Sequence, residues 1–349
     1  LGITVNKGVR IAGISCVVPD DPVKVSELGK PYFTDEVIAR IQKSVGTDTL
    51  YFTSEDQCSG DLGIAAAEDL LGSLGWERDT IDGLIFVSQT LDYIVPPSVC
   101  RIQSELDLPK ECFVLDTNYG CHGYAASLMF AYQLIVAGMC KRILLVTAEC
   151  HHKYISREDE ATALLFGDAG AATAIEACEQ ANDSESFFKM ISDGKYAESL
   201  ALGNYKKVQN PQALDPDHVY MDGETLTKYM FREIPSFCKE FMDETGTDIN
   251  SIDSFLFHQA NAYMIRYLSR RMKIDLSKVP INIGNYGNTS AVSIPLLICD
   301  KKKELFSHNA GTECKGIEKT LILSFGGGYI ISGTVMNLGN LKGGQIRHI

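Results

Sequence analysis

NYGCHGYAA, residues 118–126, returns with changes as NYGNTSAVS, residues 285–293. Each copy is an Asn-Tyr-Gly turn running into small residues, a composition that predicts a helix packed close to its neighbours. The tips differ, with Cys121 in the first copy and Asn288 in the second. The likeness widens on either side: IDGLIF at 81–86 is answered by IDSFLF at 252–257, and RILLVTAE at 142–149 by TLILSFGG at 320–327. Three matches in one order, offset by roughly 170 residues, predict an internal duplication with halves at 1–180 and 181–349.

Short apolar runs at 9–14, 83–88, 113–116, 142–147, 255–258 and 320–324 read as buried strands. Residues 55–74, 123–138, 225–245, 263–272 and 291–306 carry helical periodicity, with Gly or Pro punctuating their ends. Strands alternating with helices of this length predict parallel pairing, covered by helices on both faces. If the halves are related by a pseudo-twofold axis, the two turns meet near it. Cys121 and Asn288 then face a common space.

Composition narrows the function. A chain of 349 residues that is 45% hydrophobic can bury a large core, either as two domains or as one duplicated domain. Its formal charge of -13 opposes contact with phosphate backbones, so nucleic acid is not an expected partner. No window reaches the roughly eighteen apolar residues of a membrane span, and the start has no signal-peptide pattern, so the expected address is the cytoplasm. Eleven cysteines are scattered without a Cys-x-x-Cys pair and read as reduced thiols.

Cys121 is the best nucleophile in the chain. At a helix N-terminus a thiol meets the positive end of the macrodipole, which favours thiolate. His258 ends an apolar strand and Asn288 occupies the tip equivalent to Cys121, a position that also suits an N-cap. In Ser324-Phe325-Gly326-Gly327-Gly328 consecutive glycines let a backbone N–H approach a ligand. The loop lacks the Lys-Ser/Thr of a phosphate-binding loop, so an oxyanion hole is the better functional reading. Gly167-Asp168-Ala169-Gly170 lacks the spacing of a nucleotide fingerprint, and His151 and His152 beside Cys150 have no second ligand group at zinc spacing. No metal is assigned.

These motifs resemble the thiolase superfamily, and within it β-ketoacyl-(acyl-carrier-protein) synthase III. The resemblance spans the chain through the cysteine turn, HQAN at 258–261, GNTSAVSIP at 287–295, FGGG at 325–328, LLFGDAGAA at 164–172 and PPSVCRIQSELDL at 96–108. It implies an α/β fold layered α-β-α-β-α, with a nucleophile-bearing half and a half carrying His258 and Asn288. It implies acyl loading on Cys121 and then decarboxylative condensation with malonyl-carrier protein. Cys121 and Gly327 would supply the oxyanion hole, His258 and Asn288 would donate to the malonyl thioester oxygen, and Phe325, Asn261 and His122 would shape the pocket. The implied partners are an acyl thioester on coenzyme A or carrier protein, acyl carrier protein itself, and a second copy in a homodimer. No cofactor is implied.

The chain departs from that family in places. The family's Trp and Arg that hold the adenine end of coenzyme A follow an Asp-Glu pair, but here Asp35-Glu36 precedes Val37, Arg40 is out of register and the single Trp is Trp76. Tyr263 replaces the family's carrier-docking Arg, while Arg266, Arg270, Arg271 and Lys273 follow on the same helix and form a candidate docking patch. His122 and Tyr119 are bulkier than the usual small residues beside the nucleophile. These differences favour a specialised pathway over housekeeping fatty acid initiation. Transfer of the acyl group to oxygen or nitrogen without decarboxylation, and a non-catalytic synthase partner, are the competing expectations. A papain-like hydrolase fits Cys, His and Asn but not the duplicated strand-helix pattern.

Overall fold

The computed structural model describes residues 2–178, 185–203, 217–306, 319–339 and 341–349. Two sheets organise them. In the first, β15 (Lys342–His348), β2 (Val9–Val18), β8 (Ala169–Ala177), β7 (Arg142–Glu149), β5 (Gly83–Val87) and β6 (Phe113–Thr117) lie side by side in that order. In the second the order is β1 (Thr4–Asn6), β9 (Ser186–Ser192), β14 (Ile330–Met336), β13 (Thr320–Gly326) and β12 (Ser254–Phe257). Two short ribbons, β3 (Pro22–Lys24) with β4 (Thr49–Tyr51) and β10 (Leu200–Ala201) with β11 (Tyr220–Met221), flank them.

One pattern recurs in both sheets. The series β2-β8-β7-β5 and β9-β14-β13-β12 share neighbours and directions, two antiparallel pairings and then a parallel one. The expected all-parallel pairing is therefore corrected to a mixed one. Between β13 and β14 stand only the three residues Gly327–Tyr329, far too few for a parallel crossover. The outermost strands also change sides: β1 closes the second sheet against β9, and β15 closes the first against β2.

Period-two alternation explains why whole strands are apolar. In β5, Ile85 and Val87 point to the space between the sheets while Leu84 and Phe86 point outward; in β12, Leu256 faces inward and Phe255 and Phe257 outward. Between the sheets lie the helices Gly123–Val136 and Ser293–Asp300, whose apolar residues join both sheets in one core. A helix apolar on all sides, such as GYAASLMFAYQLIV, needs this double cover. The helices Ser59–Leu74 and Ser98–Glu105 cover the outside of the first sheet, and Gly223–Thr245 and Ala262–Arg271 the outside of the second. The result is five layers.

β8 escapes the strand reading because AGAATAIEA has few β-branched or aromatic residues. Its composition answers a packing need. A Cβ on Gly170 would stand 2.6 Å from the Leu62 carbonyl, so the Ser59–Leu74 helix lies directly on this strand. The predicted 291–306 helix is broken into a Ser290–Val292 turn, the Ser293–Asp300 helix and a separate Lys302–Phe306 turn. Among the described residues no helix is long and apolar enough to cross a membrane.

Candidate active site

β6 ends at Thr117, and residues 118–122 turn the chain into the Gly123–Val136 helix, with the Gly123 N–H donating to the Gly120 carbonyl at 2.6 Å. The second half of the chain holds this turn. Ser324 Oγ accepts the Ala125 N–H at 3.4 Å, and the Ser332 hydroxyl donates to the His122 carbonyl at 2.9 Å. A Cβ on Gly326 would fall 2.4 Å from the Cys121 Cβ, so only glycine leaves the cysteine where it is. The first half in turn holds the Asn288 turn. The Asn288 N–H donates to the Leu165 carbonyl at 2.8 Å, and the Gly167 N–H donates to the Asn288 carbonyl at 3.2 Å.

Cys121, His258 and Asn288 line one pocket with an empty volume of about 550 Å³. Phe325 and Gly326 share that wall, and Leu226, Met230 and Met264 make the outer part apolar. Asn261 lines it too, while its side chain accepts the Met264 N–H at 2.6 Å and caps the Ala262–Arg271 helix. His122 is corrected: it is absent from the pocket lining because its ring is buried behind the cysteine turn, 4.7 Å from the Tyr119 ring. The glycine pressed on Cys121 is Gly326, and Gly327 carries the next N–H while facing Leu200.

Burial dominates the electrostatics. The Cys121 thiol, 9% exposed, is pushed up to about 11 by desolvation and, less strongly, by the Glu149 charge; Ser290, its own backbone N–H and Asn288 act the other way. The thiolate expected from the helix terminus is therefore not the resting form. Gly123 begins the helix two residues on, and loss of water outweighs the dipole. His258, 1% exposed, is pushed down to about 3, first by burial and then by the nearby His122 ring, against a small opposing effect of the Ser290 carbonyl. It is a neutral imidazole. Burial thus disfavours the charged form of both groups, the thiolate and the imidazolium.

Its partners fix how that imidazole faces. Nδ1 lies 2.7 Å from Ser293 Oγ, which also accepts the Gln259 N–H at 3.4 Å. The ring meets Phe325 edge-on at 5.5 Å. Asn288 Oδ1 accepts the Ser290 N–H at 2.9 Å, leaving the amide NH2 for the pocket. Ser293, Ser290 and Glu149 were not singled out from sequence, and Gly326 was read only as one of the loop glycines that let a backbone N–H approach. The serines were visible inside GNTSAVSIP but read there as small helix residues.

Other sequence candidates lie apart. Arg266, Arg270 and Arg271 are exposed and form no ion pair among the described residues, although Arg271 reaches the Tyr267 hydroxyl at 3.5 Å. Arg40 is paired with Glu160, and Trp76 lies under Arg142 at 4.7 Å, outside the pocket. Asp168 is a structural anchor that accepts the Thr53 N–H at 2.9 Å and bonds His152. Among the described residues no cluster of three or more His, Cys, Asp or Glu could hold a metal.

Residues 115–194 match the family described as 3-oxoacyl-[acyl-carrier-protein (ACP)] synthase III, and residues 242–338 match its C-terminal part. A solved 3-oxoacyl-(acyl-carrier protein) synthase from Burkholderia xenovorans LB400 is similar at 34% identity with a TM-score of 0.93, over 99% of each chain. A β-ketoacyl-[acyl-carrier-protein] synthase III structure from Thermus thermophilus gives a TM-score of 0.81 at 28% identity, over 95% of this chain and 99% of that one. The β-ketoacyl-[acyl-carrier-protein] synthase III of Lactococcus lactis subsp. lactis is 28% identical over 336 residues, 94% of this chain and 99% of that protein.

A thiol held near 11 stays mostly protonated in neutral solution, and its thiolate fraction grows about tenfold per pH unit. Iodoacetamide alkylation of Cys121, located by peptide mass spectrometry, is expected to be still climbing at about pH 9.5. A plateau below about pH 8 would contradict the buried-thiol assignment.

Proposed function

The chain belongs to the 3-oxoacyl-[acyl-carrier-protein] synthase III family of acyltransferases, with the thiolase fold, and on that premise we propose that it loads an acyl group on Cys121 and condenses it with malonyl-carrier protein. The observation that carries this reading is the convergence of Cys121, His258 and Asn288 on one largely apolar pocket. In the loading step the cysteine sulfur bonds to the acyl carbon and the donor carbon–sulfur bond breaks. The oxyanion between those events is held by the N–H groups of Cys121 and Gly327, which the side-chain-free approach of Gly326 keeps open.

In the condensing step the malonyl group loses carbon dioxide, and charge moves onto its thioester oxygen. A neutral His258 with the Ser293 hydroxyl donating into Nδ1 carries its proton on Nε2, and Asn288 presents its NH2 because Oδ1 is occupied. Both are donors, and neither brings a negative charge that would repel the enolate. Phe325 beside the ring gives the departing carboxylate an apolar wall.

The primer is carried by a protein in this reading, because Val37 stands where an adenine-stacking Trp would and Arg40 is engaged by Glu160. The exposed Arg266, Arg270 and Arg271 on the helix capped by Asn261 form the docking face for an acidic carrier. The homodimer forms through β6, an edge strand whose five residues are all half-buried, beside an apolar depression lined by Phe113, Leu115, Phe130 and Leu134.

His258→Ala and Asn288→Ala are expected to keep Cys121 acylation, read by intact-protein mass spectrometry, while malonyl-dependent carbon dioxide release drops about a hundredfold or more. No adduct on wild-type Cys121 from acyl-CoA or acyl-carrier-protein donors would remove the reading, and transfer to an alcohol or amine without carbon dioxide would replace condensation by plain acyl transfer. The paired change Arg266→Glu and Arg270→Glu should raise KM for malonyl-carrier protein about tenfold or more at little changed kcat, and an unchanged KM rules out that docking face. Leu115→Glu should convert a dimer to monomer in sedimentation velocity, and a dimer that survives it is built elsewhere.

A further inference from the structure

Two residues before Asn288, Tyr286 closes the short helix Ile283–Tyr286 and stays out of the pocket lining. Its ring stacks on Tyr51 of β4, with centroids 5.9 Å apart and planes 28° from parallel, and its hydroxyl donates to Asp300 Oδ1 at 3.2 Å. Burial and then the Asp300 charge push the Tyr286 hydroxyl up, so it stays protonated and remains the donor. Asp300 Oδ2 is buried without a hydrogen-bond partner among the described residues, so this half-buried carboxylate relies on the phenol. The Tyr286 backbone is pinned as well, because a Cβ on Gly167 would overlap its carbonyl oxygen. Between this anchor and Asn288 lies one residue, Gly287, at φ +71°, where a Cβ would overlap Leu50 and stand 2.8 Å from the Leu165 carbonyl.

Asp300 is the last residue of the helix Ser293–Asp300, and the first, Ser293, is hydrogen-bonded through Oγ to His258 Nδ1 at 2.7 Å. One rod of about 12 Å therefore grips both donors, His258 at its start and the Asn288 turn at its end. Ser293 to Cys299 are all buried, so the rod cannot shift without repacking the core. We propose that Tyr286 and Asp300 are positioning residues of the condensing step, whose hydrogen bond sets where the Asn288 amide points relative to the His258 ring. Two donors on separate segments must meet one thioester oxygen, and the Asn288 side chain has only the Ser290 N–H on its Oδ1 to orient it. The glycine before it supplies no stiffness of its own. The anchor on the far side of that glycine then decides the direction, and an error of about 1 Å there can cost on the order of a hundredfold in rate. Cys121 is held instead by Ser324, Ser332 and the approach of Gly326, so acyl loading is independent of this clamp.

This inference rests on the condensing reading of the site, and one experiment separates the two. Wild type, Tyr286→Phe, Asp300→Ala, Asp300→Asn and the double variant Tyr286→Phe with Asp300→Ala are compared in two assays. Loading of Cys121 from acetyl- and hexanoyl-pantetheine is read by intact-protein mass spectrometry, and carbon dioxide release is measured with malonyl-carrier protein. Tyr286→Phe keeps the ring on Tyr51 and removes only the hydroxyl. It should lower kcat for carbon dioxide release about tenfold, with KM and Cys121 loading within about twofold of wild type. Asp300→Ala should match it, and the double variant should be no slower than the slower single one. Asp300→Asn keeps an acceptor oxygen for the phenol and should stay near wild type. The fraction of molecules that load Cys121 counts the intact sites, so a variant that merely unfolds loses loading and release in equal proportion. That equal loss in Tyr286→Phe, or its release of carbon dioxide at the wild-type rate, overturns the positioning role alone. Wild type that loads Cys121 yet releases no carbon dioxide from malonyl-carrier protein overturns it together with the condensation beneath it.

Discussion

The contact between Gly326 and Cys121 is the constraint on which the site depends. It is so close that a single added methyl group would overlap the cysteine, and it joins a residue of the second sheet to the nucleophile of the first. Ser324 and Ser332 hold the same turn from the same side. The Asn288 turn is held in exchange by Leu165 and Gly167. Each half therefore fixes the chemical tip of the other. Hydrogen bonds from distant segments thus add to the local ones in placing each tip.

That mutual hold requires depth, and depth sets the chemistry. With helices filling the space between two sheets, the pocket floor loses water, the thiol becomes a weak acid and the imidazole a weak base. A neutral imidazole suits a hydrogen-bond donor better than a charge carrier. The same dryness strengthens every dipole aimed at a developing oxyanion.

Much of the fold was legible because paired strands write their burial in the sequence. The runs at β5, β7, β12 and β13 are apolar on both faces, and their internal likeness points to a duplication. β8 was not legible. Its alanines and glycines serve the close approach of the Ser59–Leu74 helix, so packing overrode strand propensity. Strand direction was misread for a related reason: helices between strands imply crossovers, but β8 and β14 return antiparallel without one.

The sequence by itself determined which residues could do the chemistry. A cysteine and an asparagine at matching tips, a histidine after FLF and a glycine loop after a strand are all written in it, since turn geometry and reactivity are local properties of residue types. Tertiary structure alone decided their protonation states, the removal of His122 from the pocket wall, and the arrival of Ser293 against His258. The physical reason is that desolvation and hydrogen bonding depend on which distant segments close over a side chain, and for Cys121 those segments come from strands and turns more than a hundred residues away along the chain.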